Sequence, residues 1–68
     1  MSKQIILNGQ IKHIPSTLRL SELIRQLQLN PQQVAIARND EVIVRSELDQ
    51  VILEEGDEIE IFHAVGGG

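Results

Sequence analysis

Only one segment of this chain carries a helical pattern. Leu20, Leu23, Ile24 and Leu27 recur at i, i+3, i+4 and i+7, the apolar stripe of an amphipathic helix. Ser21, Glu22, Arg25 and Gln26 fall on the other side. Every other patterned segment is short and strand-like, so this helix has to cover one face of a sheet. Thr17 and Ser21 each suit a position near its N-cap. Asn30-Pro31 is expected to end it, because the residue before a proline is pushed out of the α region.

The chain has 68 residues, one small domain. Domains of this size bury only about 60% of their unfolded surface, so the core is thin. There is no cysteine, so neither a disulfide nor a thiolate metal site can staple the fold, and no side-chain thiol can carry sulfur or act as a nucleophile. Aliphatic residues must do the packing, because Phe62 is the sole aromatic. A nucleic-acid surface is not expected. Its stacking aromatics are missing, and the net charge of −4 would repel a phosphate backbone. The acids cluster late, at Glu54, Glu55, Asp57, Glu58 and Glu60. Such a run reads either as a solvated strand face and turn or as a surface for a basic partner. No apolar run follows a basic region at the start, and none approaches the ~20 residues of a membrane span. A cytoplasmic protein with no membrane contact is the expectation.

The strands follow from alternation and turn residues. Lys3 to Leu7 runs into Asn8-Gly9, a hairpin signal, and returns as Gln10 to Ile14, with Lys12 and Ile14 expected on opposite faces and Pro15 closing the strand. After the helix, Val34 to Arg38 and Glu41 to Val44 flank an Asn39-Asp40 turn. Arg45 to Gln50 reads as a polar loop with at most one helical turn. Gly56 suits a turn position with φ > 0 before a last strand, Glu58 to His63. The order is β-β-α-β-β-β, an α+β arrangement in which a mixed sheet carries one helix on one face.

Alternation also assigns faces. Ile5 and Leu7, Val34 and Ile36, and Ile59 and Ile61 are expected to face the helix. Ile6, Ala35, Ala37, Glu58, Glu60 and Phe62 are expected to face away. A register shifted by one residue would instead bury Phe62. With Phe62 outside, Ile6, Ala37 and Phe62 form an apolar patch, a candidate partner surface near Val65 and the final glycines.

No catalytic constellation is visible. His13 and His63 have no second ligand at metal spacing, so no metal site is assigned, and no catalytic residues are assigned. Neither a Ser/His/Asp set nor a glycine-rich phosphate loop between a strand and a helix is present. The remaining device is Gly66-Gly67-Gly68. Glycine has no Cβ, so such a tail can thread a narrow channel. The expected organisation is a domain over residues 1–65 with a flexible tail over 66–68.

This pattern resembles the ubiquitin-like β-grasp proteins, and among them the ThiS-type sulfur carriers of thiamin biosynthesis. Ile5-Ile6-Leu7-Asn8-Gly9, the Leu20 to Leu27 helix, the Val34 to Val44 hairpin, Asp57 to Ile61 and the tail Val65-Gly66-Gly67-Gly68 carry the likeness. The related carrier of molybdopterin synthase usually has a proline-rich lead into its glycines, which Ala64-Val65 is not.

The resemblance implies chemistry at Gly68. Its carboxylate would attack the α-phosphate of ATP on a ThiF-like adenylating enzyme, and pyrophosphate would leave. Sulfur drawn from cysteine by a desulfurase would then displace AMP. The resulting thiocarboxylate would be delivered to a ThiG-like thiazole synthase. The carrier would bind no cofactor itself, would not be an enzyme, and would be a monomer when alone. Three other readings stay open at this point: a molybdopterin-synthase-type carrier, a ubiquitin-like modifier joined to lysines, and a binding module with an inert tail.

Overall fold

Two tight turns set the register of the sheet in a computed structural model that describes residues 1–63. Asn8 and Gly9 take φ of 49° and 83° and join β1 (Ser2–Leu7) to β2 (Gln10–Pro15). Asn39 and Asp40, at 51° and 69°, join β3 (Val34–Arg38) to β4 (Glu41–Ile43) in the same way. Positive φ at both central residues is what a two-residue hairpin needs to match the twist of its strands, and Asn, Asp and Gly tolerate it best. The last strand, β5 (Glu58–His63), lies between the two hairpins. The order across the sheet is β2-β1-β5-β3-β4, with β1 and β5 parallel and the other pairs antiparallel.

The helix, α1 (Leu20–Gln26), buries Leu20, Leu23 and Ile24 against the inner face of this sheet, where Ile5, Ile36 and Ile59 meet it. Leu27 is only partly buried. At the N-terminus Arg19 holds the cap position, and the Glu22 carboxylate accepts its backbone N–H at 2.9 Å. That is the return half of a capping box. Neither Thr17 nor Ser21 is the cap. The other end also differs from expectation, because the helix stops before Asn30-Pro31. Gln28 takes a φ of 59°, its N–H reaches the Arg25 carbonyl, and the Leu29 N–H reaches that of Ile24. This pair of bonds is a Schellman motif, which closes the helix through a left-handed residue.

Lys12 and Ile14 share a face, contrary to expectation, as residues two apart on a strand must. Ile14 is buried and Lys12 half-buried, while Ile11 and His13 on the other face are exposed.

Residues 44–56 contribute more to the core than their polar composition indicates. One turn of 3₁₀ helix, Arg45–Glu47, brings Leu48 under the helix, where its carbonyl accepts the Ser21 N–H at 3.1 Å. The chain then runs beside the helix start, with Leu20 N–H bonded to the Val51 carbonyl and Leu53 N–H to that of Leu18. Leu18, Leu48 and Leu53 are all buried in the same core.

Candidate functional site

The helix covers only one face of the sheet, so the other face is exposed. Its geometry follows from the strand registers. Phe62 lies opposite Ala35, and Ala37 sits between Glu60 on β5 and Val42 on β4. Phe62 is 53% exposed, so the outward register holds. Val42 and Val44 are more than half exposed on the same side and extend its apolar surface.

Two members of the expected patch are corrected. Ala37 is 8% exposed, because its methyl group is too short to rise between Glu60 and Val42. It forms a floor and offers little surface. Ile6 is half-buried and lies opposite Ile11 on β2 and Glu58 on β5. Glu58 precedes Phe62 by four positions, about 13 Å along a strand. Ile6 therefore belongs with Ile11 in a separate apolar cluster. The exposed acids Glu58 and Glu60 stand between that cluster and the one around Phe62.

The two ends of β5 are held differently. At the start, Asp57 is the only buried charged residue among the described ones, at 6% exposure. Arg38 Nε donates to Asp57 Oδ2 at 2.8 Å, Asn39 Nδ2 donates to Oδ1 at 3.1 Å, and the Glu54 N–H donates to Oδ2 at 2.8 Å. Burial raises the carboxyl's pKa, but these hydrogen bonds and the Arg38 charge outweigh it and hold the group below its ordinary value. The start of β5 is thus clasped to the β3–β4 turn.

At the other end β5 outruns its neighbour. β1 stops at Leu7, and Asn8 finishes the pairing, its N–H donating to the Ile59 carbonyl and its Oδ1 accepting the Ile61 N–H at 2.8 Å. Beyond that point β5 is paired on one side, with His63 opposite Val34 on β3. In sequence, β5 is followed by Ala64, Val65 and the glycines. Val65, Gly66, Gly67 and Gly68, and the boundary between residues 65 and 66, lie outside the described residues.

The two histidines are not brought together: His13 pairs with Gln4 on β1 and His63 with Val34 on β3. Among the described residues no three His, Cys, Asp or Glu converge on a metal-sized site. No described helix is long and apolar enough to cross a membrane. Sequence reasoning missed Ile11, Val42 and Val44 on the exposed face. Alternation from Ala37 across the Asn39-Asp40 turn would have placed Val42 there.

A single helix on a five-stranded mixed sheet, with its first and last strands parallel at the centre, is the ubiquitin-like β-grasp fold. The ThiS family model matches residues 5–68, and the chain belongs to the ThiS family. It is 31% identical over 65 residues to the sulfur carrier protein ThiS of Escherichia coli K12, which covers 96% of this chain and 98% of that protein. It is also similar to two thiazole synthases. Identity is 37% for that of Magnetococcus marinus and 29% for that of Paramagnetospirillum magneticum, each over 96% of this chain. The chain spans 20% of the length of these two relatives. Among solved structures, the thiamine biosynthesis protein ThiS from Geobacter metallireducens superposes with a TM-score of 0.82 at 26% identity. That match covers 96% of this chain and 99% of the other.

Proposed function

We propose that this chain is a sulfur carrier for thiamin biosynthesis and that its reactive atom is the carboxyl carbon of Gly68. The observation that carries the reading is the extent of the family match. It runs through residue 68, on a scaffold whose last strand extends past the end of β1 and is followed in sequence by the glycines.

A carboxylate resists nucleophiles until one oxygen becomes part of a good leaving group. Attack of a Gly68 carboxylate oxygen on the α-phosphorus of ATP, in a ThiF-like adenylating enzyme, expels pyrophosphate and makes AMP that leaving group. The outer sulfur of a persulfide supplied through a cysteine desulfurase then adds at the carbonyl carbon and expels AMP, and a thiol reductant cleaves the resulting acyl disulfide, carrying the other sulfur away as a new disulfide. The product is a thiocarboxylate. In this scheme the chain is a co-substrate of its partner enzymes, and ATP is held by the partner. Gly66 and Gly67 keep the arm slim enough to enter another protein's active site.

Similarity to two thiazole synthases supports a ThiG-like enzyme as the sulfur acceptor. A segment similar to this chain occupies part of each of those longer chains, which supports carrier and acceptor as functional neighbours. The exposed β3–β5 face, with Phe62 and Val42 over an alanine floor, is the surface assigned to docking. Its neighbours Glu58 and Glu60 fit a partner with basic side chains at the rim.

Removal of Gly67 and Gly68 separates a carrier from a binding module. A carrier loses all sulfur transfer while still binding its partners through the Phe62 face. Retained transfer would overturn the proposal.

A further inference from the structure

The helix side of the domain holds a second feature that the carrier reading does not use. A groove of about 360 Å³ opens between the end of α1, the turn that follows it and the 3₁₀ segment. Its floor is apolar, formed by Ile24, Leu29 and Leu48. Arg25 and Arg45 stand on its walls. The volume falls within the ~300–1,000 Å³ of ligand-binding clefts, and an apolar floor with a few convergent polar groups is their usual make-up.

The charge of the walls says what would enter. Among the described residues two ion pairs form, Lys3 with Glu54 and Arg38 with Asp57. Four other lysines and arginines remain, Lys12, Arg19, Arg25 and Arg45, and two of these four line this one groove. Neither Arg25 nor Arg45 donates a side-chain hydrogen bond or joins an ion pair among the described residues. Asp49 also lines the groove and offsets part of their charge. The excess is positive in a chain whose net charge is −4. Guanidinium groups pair readily with carboxylates in bidentate fashion.

The groove lies at the same end of the domain as the end of β5. Gln32 is part of its wall and stands two residues before Val34, which pairs with His63. Two residues span at most about 7 Å. A protein bound at the end of β5 is therefore within reach of this wall.

The geometry points to a second docking site here, for an acidic peptide segment of a protein that receives the arm. A large aliphatic side chain of that segment fills the groove, and flanking carboxylates meet Arg25 and Arg45. The identity of the partner as an arm-receiving protein rests on the carrier reading. The chemistry of the groove does not.

The test is an NMR titration of the isotope-labelled full chain with two capped pentapeptides. One has a central leucine flanked by glutamates, and the other has the same leucine flanked by lysines. The expected result is saturable amide shifts at Ser21, Arg25, Gln32 and Leu48 with the glutamate peptide, at least fivefold tighter than with the lysine peptide. In the Arg25→Glu/Arg45→Glu double variant that preference should reverse. Equal response to both peptides, shifts confined to the sheet, or no response at millimolar peptide would overturn the proposal. So would tighter binding of octanoate than of the glutamate peptide, or concentration-dependent shifts at the groove without peptide, which would assign it to a small carboxylate or to a second copy of the chain. Peptide binding needs no activation of Gly68, so a failed sulfur transfer and a failed groove are separate results.

Discussion

Arg38 Nε meets Asp57 Oδ2 at 2.8 Å, and the carboxylate in that pair is almost fully buried. The contact joins the turn before the last strand to the hairpin of β3 and β4, so it fixes where the strand leading to the glycines begins. Removing the charge in Asp57→Asn should cost about 1–3 kcal/mol, the usual loss for hydrogen bonds to a buried charged group. Urea unfolding at neutral pH measures it.

The pH dependence of that cost has a definite sign. The Asp57 carboxyl is held below its ordinary value in the folded chain. Its contribution is therefore fully present above the unfolded value of about 3.9 and is lost as pH falls through the lower folded value. The parent should lose stability toward Asp57→Asn across that acid window. Parallel stability curves for the two proteins below pH 4 would show that the clasp is not ionic.

Gln28 occupies a left-handed position, φ 59°, that glycine fills without steric cost. Gln28→Gly should raise stability by about 0.5–1 kcal/mol, the left-handed penalty less the entropy that glycine adds to the unfolded chain. Thermal unfolding followed by circular dichroism is sufficient to see it.

Leu53 and Ile52 are adjacent but opposite in burial, Leu53 at 0% and Ile52 at 46% exposure. Leu53→Ala should cost about 2–5 kcal/mol, the usual loss for a core leucine. Ile52→Ala should stay within about 0.5 kcal/mol of the parent, as surface changes do. The contrast tests whether residues 48–53 truly form one wall of the core.

Those residues are also where the sequence was least legible. Strands and turns could be read because alternation and Asn-Gly or Asn-Asp pairs act locally, and the faces of Ile5, Ile59, Ile61 and Phe62 followed from them. Leu48 sits in a polar stretch and Leu53 ends a three-residue apolar run, neither with a period, and only contact with the helix start gives them a buried environment. The helix end was misplaced for a similar reason. Pro31 is a visible stop, whereas a left-handed glutamine at position 28 carries no compositional mark. For the site, period two put Ala37 on the correct face but could not report that Glu60 and Val42 overshadow it. Nor could it place Ile6 beside Glu58, because the β1–β5 register is set by long-range pairing.

Phe62 is exposed and packs over Ala35 outside the core, so Phe62→Asp should change unfolding stability by no more than about 0.5 kcal/mol. Affinity for the proposed ThiG-like acceptor should fall about tenfold or more, as for an aromatic anchor at an interface. Isothermal titration alongside urea unfolding separates the two effects. Equal losses in both would place Phe62 in the core of the solution structure.

The central claim concerns Gly68, and intact-mass spectrometry reads it directly. The chain is incubated with its ThiF-like adenylating enzyme, ATP, a cysteine desulfurase and cysteine. The expected product is heavier than the starting protein by the difference between one sulfur and one oxygen atom, and fragmentation assigns the change to Gly68. An unchanged mass, with an adenylating enzyme that demonstrably turns over ATP in the presence of the chain, would contradict the sulfur-carrier assignment.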